Sequence, residues 1–158
     1  MLNGGKLELL KRSIRIDHHE WKNVHKTNCY AYALNADIPE HKLKTCIYQP
    51  GYIANSKELD FTFTKTDFIE GLESDLKLLE IEYKYCKINE ELLCNEWKIL
   101  IMLRYYQDHL YNNFHFLKQY KDEPWMHKLS YFNPPTLYIP DSMPDYEYID
   151  CMKLSLKK

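Results

Sequence analysis

Asn28-Cys29-Tyr30-Ala31-Tyr32-Ala33-Leu34 is the stretch that decides the fold: a compact apolar helix that opens on a cysteine. Asn28 is a favourable N-cap, because its side-chain oxygen can accept from an unpaired amide of the first turn. Cys29 then takes the first helical position. There the helix dipole is expected to favour a negative charge, lower the thiol pKa and raise the fraction of thiolate, the attacking species. Amides of the same turn are candidate oxyanion donors. Asn35 and then Pro39 end the helix.

Outward from this helix, the chain reads as further helices and loops and then, from Ile81, as mostly sheet. Residues 1–16 suggest a short helix or extended arm, and residues 36–60 a long surface loop with turns at Pro50-Gly51 and Asn55-Ser56. Thr66 and Asp67 begin a second clear helix, in which Phe68, Leu72, Leu76 and Leu79 recur at helical spacing with Glu70, Glu73, Asp75 and Lys77 around them. Ile81 to Tyr85 alternates as a half-buried strand does. A short helix is expected at Asn89–Asn95. Trp97 to Tyr105 is almost continuously apolar and reads as a strand covered on both faces. Asp108 to Asn113 should turn the chain into a strand from Phe114 to Tyr120. A further strand is expected around Trp125 to Leu129, loops at 133–135 and 141–145, and a last strand from Tyr146 to Leu154. The expectation is one α+β domain over residues 1–158, with the cysteine-bearing helix packed on a mostly antiparallel sheet.

Two histidines fall on those strands. In Asn113-Phe114-His115-Phe116-Leu117, His115 projects from the face opposite the phenylalanines. If the hairpin turns at Lys121, His127 of Trp125-Met126-His127-Lys128 stands directly opposite it, with Cβ atoms ~4.5–5.5 Å apart. One imidazole can then serve as base while the other fixes its tautomer. Asn133 and Asp141 remain alternatives to His127 for the third position. His18, His19 and His25 lie in a polar run and read as solvated. Zinc held by Cys29, His115 and His127 is the rival chemistry, but no close-spaced ligand pair such as H-E-x-x-H occurs. No metal and no cofactor is expected.

Composition sets the outer limits. The chain has 158 residues, 45% apolar, which suffices for one packed core. Its 23 acidic and 21 basic residues are well mixed, so no basic stripe for nucleic acid or membrane surface arises. No run approaches the ~20 apolar residues of a membrane span. Charges at Lys6, Glu8, Lys11 and Arg12 break up a secretory signal, so a cytoplasmic location is expected. The five cysteines, 29, 46, 86, 94 and 151, form no C-x-x-C and are expected to be reduced and mostly inert. The 14 tyrosines leave a protein partner open.

The three segments Asn28–Leu34, Phe114-His115-Phe116 and Trp125-Met126-His127-Lys128, in this order, resemble papain-like bacterial cysteine hydrolases. The likeness is strongest to the NlpC and CHAP type cell-wall amidases and peptidases and their cytosolic or phage-borne relatives. That resemblance implies Cys29 as nucleophile, His115 as general base and His127 as the residue orienting it, with Asn28 or Asn23 assisting at the oxyanion. Asn28-Cys29-Tyr30 stands where the NlpC type has Asp-Cys-Ser, and Asn23 where papain has a glutamine. The implied reaction is attack on a peptide or amide bond through a thioester. Deamidase or transglutaminase-like transfer shares this chemistry, and a catalytically silent binding or inhibitor module shares the fold.

Overall fold

The structure, a computed structural model, describes residues 3–14, 27–37, 49–129 and 133–157. Asn23, His18, His19, His25 and Cys46 lie outside the described residues. The helices are α1 (Gly4–Ser13), α2 (Cys29–Ala33), α3 (Tyr52–Asn55) and α4 (Lys65–Leu78). The strands are β1 (Phe63–Thr64), β2 (Ile81–Tyr85), β3 (Glu96–Gln107), β4 (Leu110–Tyr120), β5 (Met126–His127), β6 (Thr136–Leu137) and β7 (Tyr146–Leu156). The strands form one antiparallel sheet in the order β2-β7-β3-β4-β5-β6, with β1 paired to β4. The chain is therefore α+β with a mostly antiparallel sheet and few helices. No helix of the described residues is long and apolar enough to cross a membrane.

The sheet buries both faces where β3 crosses it, as its apolar run from Trp97 to Leu103, interrupted at Lys98, requires. Trp97, Ile99, Ile101, Phe116, Met152 and Leu154 face α2 and α4, where they pack against Tyr30, Phe68, Leu72 and Leu76. On the other face Leu100, Met102 and Leu117 form a smaller cluster with Trp125, Tyr138, Met143 and Tyr146. The alternation of β4 decides which face each side chain joins. Phe114 and Phe116 go to the helices, and His115 and Leu117 go to the other side.

Several boundaries depart from the sequence expectation, each for a physical reason. The turn into β4 is only Asp108-His109, between paired Gln107 and Leu110, and β4 begins at Leu110 rather than Phe114. Both turn residues have positive φ (49° and 64°), the backbone of a two-residue hairpin, achieved here without glycine. Residues 89–95 form no helix. The Lys98 ammonium takes the carbonyls of Ile88 and Glu90, at 2.6 Å each, and holds that segment as turns. Between 125 and 129 only Met126–His127 is strand, and Thr136–Leu137, next to the expected loop, adds β6 beside it.

Asp75, which reads as an exposed charge of α4, is instead wholly buried. Its carboxylate accepts from Tyr30 Oη (2.7 Å), Gly51 N–H (2.7 Å) and Ala54 N–H (2.9 Å), so one side chain ties α2 and α3 to α4. The approach depends on Gly71, where a Cβ would lie 3.1 Å from the Gly51 Cα.

Candidate active site

A helix of five residues has no independent stability in water, so α2 exists because its neighbours hold it. Asn28 caps its start, accepting from Ala31 N–H at 2.9 Å. Tyr30 is tied to Asp75 and stacks on Phe116 with ring centroids 5.4 Å apart. The Trp97 indole donates to the Ala33 carbonyl at 2.9 Å. Lys118, on the same face of β4 as Phe116, donates to the Tyr32 carbonyl (2.8 Å) and to Asn35 Oδ1 (2.7 Å), with its ammonium 3.7 Å from the Tyr32 ring centre. Asn35 accepts this bond from a backbone with φ 58°, just past the helix.

These contacts bring Cys29 against β4 at a particular place. The outer edge of β4 is paired with β1 at Leu110 and Tyr111 and with β5 at Leu117 and Lys118. Residues 112–116 between them meet no strand on that side among the described residues, and α2 packs there. Cys29, half-buried, comes within reach of the Phe116 backbone N–H, one residue along the chain from His115.

His115 and His127 meet on the other face. His115 Nε2 and His127 Nδ1 are 3.0 Å apart, with the rings nearly perpendicular at 80°. Their pairing is not the direct opposition expected from a turn at Lys121. His127 stands opposite Leu117, so the register is displaced by two residues. The turn is centred one residue later, at Asp122, which adopts φ 59° while the Glu123 N–H closes onto the Tyr120 carbonyl. A shift of two keeps the face, and the imidazoles bridge the diagonal. Tyr146 and Tyr138 wall the pair, at 6.2 Å from His115 and 5.4 Å from His127 between ring centroids. Asn133 and Asp141 are exposed. Among the described residues no hydrogen bond joins the Cys29 thiol to His115.

The electrostatics overturn one expectation. Burial pushes the Cys29 thiol up to about 12; the N–H groups of Phe116, Cys29 and Tyr30 and the charge of Lys128 pull it back only in part. A single helical turn carries too little dipole to offset this desolvation, so the resting sulfur is a protonated thiol. Burial also holds His115 down at about 4, with His127 adding to the effect, and burial lowers His127. At neutral pH the three groups are a thiol and two neutral imidazoles. Since His115 Nε2 is taken up by His127, Nδ1 is the nitrogen left to accept a proton. Lys128, fully buried and within electrostatic range of Cys29, is lowered by burial to about 8. The periodicity of β4 places Lys118 among Phe114, Phe116 and Tyr120 on the core face, a signal carried by the sequence itself. Lys128 gave no comparable signal.

The shifts fix a pH signature of folding. An unfolded imidazole takes its proton near 6.5 and folded His115 only near 4, so stability is full above 6.5 and falls as pH drops between them, by roughly 3 kcal/mol. Asp75 has the opposite sign. Burial raises it from 3.8 to about 6 against its hydrogen bonds from Tyr30, Ala54 and Gly51, so acidification through that range adds roughly 3 kcal/mol. These two contributions oppose each other, and His127, also lowered by burial, acts in the same direction as His115. Urea unfolding between about pH 7 and about pH 4.5 should show His115→Gln gaining stability on acidification and Asp75→Asn losing it. Parallel profiles for the two variants would refute these assignments.

Two cavities open elsewhere on the surface. One, about 470 Å³, lies between α3 and α4; the other, about 440 Å³, lies beside the β4–β5 turn and includes Lys98 and Trp125. Neither is lined by Cys29, His115 or His127. Compared with known proteins, the chain matches no family model, no curated protein and no solved structure.

Proposed function

We propose that the chain is a papain-like cysteine hydrolase acting on an amide bond, with Cys29 as nucleophile, His115 as base and His127 as the residue that orients the base. The observation that carries this reading is the 3.0 Å His115–His127 pair on the strand whose Phe116 amide reaches the Cys29 sulfur. His127 fixes the tautomer of His115 with Nδ1 free of its proton. Cys29 comes from the helix side of the sheet and His115 points to the other, so the reading requires the two to meet at the open edge of β4 in the complex, where catalytic hydrogen bonds often first form.

The reaction then runs from a neutral pair. Sγ of Cys29 attacks the carbonyl carbon while its proton passes to His115 Nδ1. The oxyanion is met by amides of the first turn of α2, with the charge of Lys128 close by. The imidazolium returns its proton to the leaving amine as the C–N bond breaks, giving a thioester. Water, deprotonated by His115, attacks the thioester and releases the acid and the thiol. A second reading, a protein-binding module without turnover, is favoured by the burial around the Cys29 sulfur, which pushes its thiol up to about 12 and disfavours the thiolate.

Alkylation by iodoacetamide, followed at each cysteine by peptide mass spectrometry, separates the two. Exposed Cys94 serves as the reference, a cysteine with no histidine assigned to assist it. Cys29 assisted by His115 should lose reactivity as pH falls through about 4 and stay level above that, as protonation of the base dictates. His115→Gln should remove the level region. A Cys29 profile that follows that of Cys94, unaffected by His115→Gln, would leave the binding-module reading standing.

A further inference from the structure

Two other thiols are brought together at the far side of the sheet. Cys86 follows β2 by one residue, and the pairing of Tyr85 with Met152 continues by one step to place it opposite Cys151 on β7. The Cys86 N–H donates to the Cys151 carbonyl at 3.0 Å, which fixes that step. The two sulfur atoms are 3.5 Å apart.

Directly opposed residues of an antiparallel ladder have Cα atoms ~4.5–5.5 Å apart, inside the ~4.4–6.8 Å that a disulfide bridge spans. Bond formation therefore needs side-chain rotation and no backbone shift. The two thiols also differ in access: Cys86 is half-buried and reaches solvent, whereas Cys151 is fully buried. An oxidant must meet Cys86 first, and Cys151 waits behind it as the resolving thiol.

We propose that Cys86 and Cys151 form a thiol–disulfide exchange site for a small soluble disulfide of the glutathione type. The Cys86 sulfur, having given up its proton, attacks one sulfur of the small disulfide, forming a mixed disulfide and releasing one thiol. Cys151, deprotonated in turn, attacks the Cys86 sulfur and expels the second thiol. The protein pair loses two electrons and two protons, and the small disulfide becomes two thiols. Burial raises both protein thiols, so exchange is slow at neutral pH and quickens as pH rises.

The position in the sheet gives the closed bridge its effect. Cys151 stands opposite Leu100, Leu100 opposite Leu117, and Leu117 opposite His127. The thiols and the histidine thus lie on one face, in one row across the strands. A closed pair links β2 to β7 at one end of that row and encloses the 65-residue separation between the cysteines.

The full chain should be equilibrated with oxidised and reduced glutathione at mildly alkaline pH, quenched in acid and mapped by peptide mass spectrometry without reduction. The expected species is the Cys86–Cys151 linked peptide pair, at least about tenfold more abundant than any other intramolecular link, because the native ladder holds the two thiols adjacent. Its thermal midpoint should exceed that of the reduced protein by about 5 °C or more. Cys86→Ser, at the half-buried position, should remove both the link and the shift. Glutathione accumulating on Cys86 without linkage, or a preferred link through Cys29 or Cys94, would overturn the proposal.

Discussion

Cys29→Ala should abolish acyl-transfer turnover, with a loss of about 10⁴-fold or more, and leave the folded state within about 1 kcal/mol of the parent. The substitution removes the sulfur that would form the thioester, and what remains is binding and oxyanion stabilisation. His115→Ala should cost nearly as much, and the double variant little more than either alone, because nucleophile and base act as one unit. His127→Ala should cost less, since an orienting residue changes tautomer and geometry and not the identity of the base. A panel of fluorogenic esters and amides, with circular dichroism of each variant, measures all four proteins. Retained turnover in Cys29→Ala on any substrate the parent cleaves would sink the hydrolase reading.

The second large effect is on stability. Lys118→Ala should lower the unfolding free energy by roughly 3–5 kcal/mol, because it opens a cavity and removes two buried hydrogen bonds and a cation–π contact together. Burial disfavours the ammonium, yet its donors hold the Tyr32 carbonyl and Asn35, the exit of the helix that opens on Cys29. Lys118→Met, which fills most of the volume, should cost about 1–3 kcal/mol and show what the polar contacts alone contribute. Both variants should also lower the activity of the protein that remains folded, because α2 has lost an anchor. Urea midpoints equal to the parent for Lys118→Ala would show that the neighbours satisfy themselves without it.

Much of this arrangement was legible in the residues, and the failures were specific. Phe114, His115 and Phe116 revealed their faces through strand alternation, and that parity survived a register error of two residues. The error itself came from Asp122, because a non-glycine residue with positive φ carries no visible mark in sequence. The same is true of Asp108-His109. Asp75 was legible but misread: it lies between Leu72 and Leu76 on the buried stripe of α4, where a carboxylate requires donors, and those donors come from 45, 24 and 21 residues away. Long-range partners of this kind are invisible to periodicity. The protonated state of Cys29 was hidden for the same reason, since helix position is local while desolvation is set by the whole packing.

The anchors of α2 also set a timetable for the chain as it is made. Tyr30 waits for Asp75, Ala33 for Trp97 at a separation of 64 residues, and Tyr32 for Lys118 at 86. At a synthesis rate of roughly 5–20 residues per second, Cys29 spends several seconds outside the ribosome before its last anchor exists. During that interval it lacks the packing that buries its sulfur in the folded chain. On the proposed reading, turnover would require the sheet to have closed, and a nascent or truncated chain that stops before β4 would lack every anchor that Lys118 supplies to α2.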